Sequence, residues 1–209
     1  MAAMAFQDYK ETLTPDLRRL LDQYRFVYFA RKAVGVGSVG TRAWIALFLG
    51  RDVGDRLFLQ IKKAQESVLE PSLGASEYDN QGQRVVAGQR LMQAASDIFL
   101  GWQHVEGGLD GRPRDFYIRQ LQDWKGGVNV ERATPQGMAT YARMRGWTLA
   151  RAHARSGDRI MIASYLGTGA SFEEAITSFA EAYADQNERD YAALADAVKI
   201  GRLAAITDI

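Results

Sequence analysis

The sequence predicts an α+β fold, in which a small antiparallel sheet carrying one helix is followed by a part that is helical throughout. Two observations lead there. Runs rich in aromatic and β-branched residues, at 26–29, 44–49 and 57–62, are separated by glycine-containing stretches, as the strands of hairpins are. After Lys125-Gly126-Gly127 the apolar spacing changes to the helical period and stays there, so strands and helices are segregated rather than alternating.

Taken in order, Thr14-Pro15-Asp16 opens a helix, with a hydroxyl to cap it, proline in the first turn and an acid at the positive end of the dipole. Leu17, Leu20, Leu21 and Tyr24 continue it at helical spacing. Phe26-Val27-Tyr28-Phe29 then favours extended structure. Trp44 to Leu49 and Leu57 to Lys62 read as the strands of a hairpin, with Gly50 to Gly54 as its turn. Leu57, Leu59 and Ile61 share one face of the second strand, and Phe58, Gln60 and Lys62 share the other. Gln83 to Ala95 reads as a helix in spite of Gly88. Phe99 to Val105 and Phe116 to Leu121 read as strands, and the Glu106-Gly107-Gly108-Leu109-Asp110-Gly111 segment between them carries turn chemistry.

In the helical part, Gly137 to Ala154 forms a long helix with Met138, Tyr141, Ala142, Leu149 and Ala152 as packing positions. Ser171-Phe172-Glu173-Glu174 reads as a capping box. It opens an amphipathic helix whose stripe is Phe172, Ala175, Ile176, Phe179, Ala180 and Tyr183. A last helix runs through Tyr191, Leu194, Ala195 and Val198 and ends at Gly201. The expected division is an N-terminal helical segment over 1–25, a sheet lobe over 26–126 and a helical lobe over 127–209.

With 209 residues, 47% apolar and 24% charged, the chain can bury one good core or form two lobes about a cleft. A formal charge of +1 provides no bulk attraction to nucleic acid or to an anionic membrane, so neither is expected as a partner. The absence of cysteine excludes disulfides, thiolate nucleophiles and cysteine-ligated metals. The two histidines, His104 and His153, stand far apart, and no histidine-rich metal site is expected. The N-terminus lacks the basic and apolar regions of a signal peptide, and the longest apolar run, Ala43 to Leu49, is far too short to cross a bilayer. A cytoplasmic location follows as the expectation.

The segment Gly35-Val36-Gly37-Ser38-Val39-Gly40 fits G-x-G-x-x-G. Glycines there permit positive φ and close backbone approach, so successive N–H groups can point at a phosphate. Alone the match is weak, because a glycine-rich turn that binds nothing looks the same. Lys62 adds context: it ends a strand 27 positions after Gly35. A glycine loop over phosphates with a lysine on the third strand is the kinase arrangement, although a solvated strand-end lysine is the plain alternative. The expected phosphate-binding set is Gly35, Gly37, Ser38, Gly40 and Thr41 in the loop, with Lys62 as the charge and ATP with Mg2+ as the candidate ligand.

A dinucleotide-binding unit is the weaker rival. It needs a helix directly after Gly40 and an acid at the end of the next strand, whereas that strand ends in Lys62-Lys63. No catalytic centre is complete. His153 to Asp158 lacks the spacing of an H-R-D loop, and Asp115-Phe116-Tyr117, the string nearest to D-F-G, lies in the wrong lobe. Glu173-Glu174 and Asp185 with Glu188 read as helix surface. Neither a catalytic residue nor a metal ligand is assigned.

Several strings together are similar to the bacterial domain-of-unknown-function family 2252. They are Val34 to Arg42, Phe58 to Lys62, Gly88 to Asp97, Phe116 to Leu121, Gly146 to Asp158 and Ala182 to Asp190, so that the resemblance runs over roughly residues 8 to 202. The family's biochemical role is not established. The resemblance implies a phosphotransferase-like architecture in which longer members carry a G-D-x-H-x-x-N-like and an N-D-F-D-like segment ahead of the glycine loop, as in a circular permutation. Neither segment occurs here. The resemblance thus implies the C-terminal half of such members, as a truncated gene, as one part of a split protein with a separate N-terminal half for partner, or as a shortened member. Gln60 stands where kinases keep a small residue against adenine, Arg42 where a valine would pack on the base, and the helix after Lys62 holds no acid to pair with it.

Overall fold

A computed structural model describes residues 6–32, 41–107, 111–121 and 126–205. Five strands, β1 (Arg25–Arg31), β2 (Ala43–Leu49), β3 (Arg56–Ala64), β4 (Gly101–Val105) and β5 (Arg114–Gln120), form one antiparallel sheet in the order β1-β2-β3-β5-β4. With the helices that follow, the chain is α+β as predicted. The turn between β2 and β3 is held by Asp52, whose Oδ1 accepts from the N–H groups of Gly54 and Asp55. Residues 43–49 form a strand antiparallel to both neighbours. That removes the helix a dinucleotide-binding unit requires, and the rival reading is set aside.

Strand alternation separates two faces. Leu57, Leu59 and Ile61 face the same way as their cross-strand partners Phe48, Ala46 and Ile118. Onto this face pack α1 (Gln7–Glu11) and α2 (Pro15–Leu21), and Phe6, Tyr9, Leu13 and Leu21 complete the core. Burial of these side chains is the main stabilising term. The helices are also anchored by polar bonds: Tyr9 Oη donates to the Phe99 carbonyl at 2.6 Å, and Trp102 N donates to Thr12 Oγ1 at 3.2 Å. Gly101 permits this approach, since a Cβ there would lie 2.4 Å from Thr12 Oγ1. Thr14 sits at the N-cap of α2 as predicted, but its hydroxyl makes no capping bond and engages the Asp16 carboxylate instead.

After β3 and a short helix, α3 (Glu70–Leu73), comes α4 (Gln81–Met92). It starts two residues before the predicted position because Asn80 caps it, accepting from Gln83 N. It also stops at Met92 rather than Ala95. The chain then turns extended at Gln93 and is redirected by Asp97, which accepts from Phe99 N and Gln120 N.

Residues Met1–Ser156 form one compact unit and Gly157–Ile209 a second. In the first, α5 (Pro135–Ser156) lies beside α4, with Arg155 Nε donating to the Leu91 carbonyl at 2.9 Å. Of its expected packing positions, Met138, Tyr141 and Ala152 are half-buried, while Ala142 and Leu149 are exposed. The second unit holds α6 (Arg159–Leu166) and α7 (Ser171–Lys199). Helix α6 was not foreseen; Asp158 caps it, accepting from Ile160 N and Met161 N.

Two expectations about α7 are corrected. The capping box is absent, because the N-cap is Ala170 and no side chain caps the end. The two predicted helices are one, bridged by Gln186, which bonds to both Arg189 and Asp190 through side chains, with no glycine or proline between 171 and 199. The predicted stop is correct. Gly201 has φ +73°, and Arg202 N reaches the Ala197 carbonyl, the double reverse bond that closes helices at glycine.

Candidate phosphate site and adjoining polar groove

The face of the sheet opposite the core carries Phe58, Gln60 and Lys62. Lys62 is half-buried and pairs across the sheet with Ala43 on β2 and Tyr117 on β5. Strands β1 and β2 pair as far as Arg31 opposite Trp44, so the segment joining them leaves and re-enters the sheet at the end where Lys62 stands. Arg42 lies there too, its carbonyl accepting from Lys63 N at 2.9 Å. Of the predicted site residues, Thr41 and Lys62 are therefore placed at one end of the sheet. Gly35, Gly37, Ser38 and Gly40 lie outside the described residues.

Helix α4 covers the Lys62 face. Its start is tied to Asp115 on that face, and Arg90 lies over the Trp102 ring, with the guanidinium 6.0 Å from the ring centroid. The helix contains no acid, as the sequence showed. Gln60 is 4% exposed, and its Oε1 accepts from both Nε and Nη2 of Arg119 at 3.2 Å. Burying a glutamine is tolerable because these bonds replace those to water. Together the two side chains occupy the floor beside Lys62. On the same face, burial raises the Tyr117 phenol above its ordinary value, with Arg119 acting the other way.

Sequence reasoning missed a second cluster, two residues further along β3. The Asp115 carboxylate, 14% exposed, accepts from Asn80 Nδ2 at 2.9 Å and from Gln81 N at 2.7 Å, and lies 2.6 Å from His104 Nδ1. On the far side of the imidazole, Glu106 Oε1 is 3.7 Å from Nε2. The cluster borders an open groove of about 550 Å³ lined by Lys63, Gln65, Glu66, Ser67, Gln81, His104, Arg114 and Asp115. The available signal was the cross-strand pairing of His104 with Asp115, which cannot be read until the β4–β5 register is known. His153, by contrast, is exposed on the last turn of α5. Among the described residues, no group of three or more histidines and acids is placed to hold a metal, and no helix is long and apolar enough to cross a membrane.

No curated protein and no solved structure matches the chain. One family profile does, over residues 1–197, nearly the whole length, and its members are described as an uncharacterized protein conserved in bacteria. The chain belongs to this family, DUF2252.

Proposed function

We propose that this chain is the nucleotide- or phosphate-binding part of a kinase-like protein and is not catalytically complete by itself. The carrying observation is the position of Lys62. It stands on the third strand, at the sheet end where the glycine-containing segment joins β1 to β2, on the face covered by the helix that follows. A glycine loop and a third-strand lysine are the parts with which kinases hold phosphates. Gly35, Gly37, Ser38, Gly40 and Thr41 would provide backbone and hydroxyl donors, and Lys62 the charge. Gln60 and Arg119 fill the neighbouring floor with polar groups, which suits phosphate better than a flat adenine ring. With no base-positioning aspartate or magnesium ligand assigned, phosphoryl transfer is left to the other half that longer family members carry.

A thermal-shift titration with ATP and Mg2+, run on the wild type and on Lys62→Ala, tests this. Binding at a hundredfold excess over Kd stabilises by about 2.7 kcal/mol, or roughly 5–10 °C for a chain of this size. The rise is expected in the wild type and not in Lys62→Ala. No rise in either protein removes the nucleotide reading. Magnesium-dependent turnover by the purified chain, lost in Lys62→Ala, would overturn the claim that it is incomplete.

A second reading, an interaction domain that needs a partner half, is favoured by the helices. Trp147 and Leu149 on α5, Tyr165 on α6, and Phe172, Ile176, Phe179 and Tyr183 on α7 are all exposed, and apolar surface on this scale marks an interface. A co-expressed polypeptide bearing the G-D-x-H-x-x-N segment should co-purify with the chain in fixed stoichiometry and bury Trp147, read as a blue shift of its fluorescence. A chain that stays monomeric and unshifted beside it argues against this reading.

A further inference from the structure

Two exposed helix faces are alike in apolar content and opposite in charge. Helix α5 exposes Met144 and Trp147, at 64% and 61%. Arg143 and Arg151 stand one turn to either side of Trp147, and the Arg151 guanidinium lies 4.6 Å from the ring centroid. Helix α5 holds four arginines and no acid. Helix α7 exposes Phe172, Ile176, Phe179 and Tyr183 on successive turns, and the last two rings are stacked 5.7 Å apart. This helix holds seven acids against Arg189 and Lys199, a net −5. Among the described residues, no salt bridge engages the arginines of α5 or the acids of α7.

Charge selects which face meets which. Two α7 stripes brought together would set −5 against −5, and two copies of α5 would set +4 against +4, whereas α5 on α7 joins opposite signs. Asp190, 18 residues and therefore five turns after Phe172, falls on the stripe's own face, where an arginine of α5 gives it a partner. Both faces are exposed in the single chain. Their six large side chains, about half exposed and roughly 200 Å² each when free, present roughly 700 Å² per copy, near the ~800 Å² each partner brings to a standard interface. We propose that two copies of this chain pair about a twofold axis, the stripe of α7 in each resting on the Met144–Trp147 face of α5 in the other. The Phe179–Tyr183 stack meets the Trp147 ring at the centre of each contact, and Arg143 and Arg151 form its polar rim. Little side-chain freedom is lost, because both aromatic surfaces are already held in place.

The pairing depends neither on the nucleotide site nor on a partner half, and analytical ultracentrifugation of the full chain alone tests it. The wild type should sediment as a dimer at micromolar concentration, and Lys62→Ala should do the same. Trp147→Asp and Phe179→Asp should each be monomeric. Both replace exposed side chains, and an unchanged circular dichroism spectrum checks that the fold is kept. Mixed at high concentration, the two variants should form a dimer, weaker than the wild type, that neither forms alone. One supplies an intact α7 and the other an intact α5, so one of the two contacts is restored. Reversing both Arg143→Glu and Arg151→Glu should weaken the wild-type dimer by about tenfold or more, since like charges then face each other. A wild type that is monomeric throughout, a Trp147→Asp chain that still pairs, or a mixture that stays monomeric overturns the proposal.

Discussion

Tyr9 shows how much of the core rests on single polar atoms. Its ring is fully buried and its hydroxyl donates to Phe99 O. Burial, reinforced by the Asp97 carboxylate and opposed by Arg90, pushes the phenol far above its ordinary range. The folded state therefore holds the proton more tightly than the unfolded one. Its contribution is complete below the unfolded value near 10 and is lost as pH rises above it. Tyr9→Phe should cost about 1–3 kcal/mol at neutral pH by orphaning a buried carbonyl. It should also lose less stability than the wild type between pH 9 and 11, measured as urea midpoints. Nothing in the sequence marked Tyr9, because its partner is 90 residues away. Lys62 and Gln60 were legible as one face of a strand through alternation alone, whereas the Arg119 fork on Gln60 became visible only once β3 and β5 were in register.

At the scale of elements, two glycines in α4 have opposite meanings. A Cβ on Gly82 would lie 2.2 Å from the Phe116 carbonyl oxygen, while one on Gly88 would meet nothing within 4 Å. Gly82→Ala should therefore destabilise by about 1–3 kcal/mol, because helix and strand must separate. Gly88→Ala should stabilise by about 0.5–1 kcal/mol through helix propensity. Urea midpoints at unchanged m-value check both. The strands and the hairpin turn were predictable from side-chain alternation and glycine placement, since those signals are local. The α7 start was misread because Ser171 and Glu174 satisfy a spacing rule that the backbone at Ala170 does not use. The start of α6 is hard to read because its cap, Asp158, follows His153 and Arg155 closely enough to resemble part of a catalytic string.

At the scale of the whole molecule, the two units differ in what holds them together. The first has a continuous apolar core, whereas the only buried side chain in α6 and α7 is Ala197. Helices draw most of their stability from packing, so amides of α6 and α7 should exchange with deuterium faster than those of β2 and β3 by roughly a hundredfold or more. Equal protection would mean that the second unit is stabilised by contacts of its own. The segregation of sheet and helices was legible from periodicity. The bare surface of the helices was not, since an amphipathic stripe announces that it needs a cover without saying whether the chain supplies one.

The bonds of Tyr9 and Thr12 to the residues around β4 have a consequence for biosynthesis. Helix α1 emerges from the ribosome well ahead of β4, and its docking site at residues 99–102 is about 90 residues behind it. At ordinary elongation rates of 5–20 residues per second, Phe6, Leu13 and Leu21 have no completed site to bury against for roughly 5–20 seconds. Closing so long a loop also makes docking a late step in folding. The nascent chain thus offers a chaperone an apolar handle in α1 and α2, which is withdrawn only when β4 has been made.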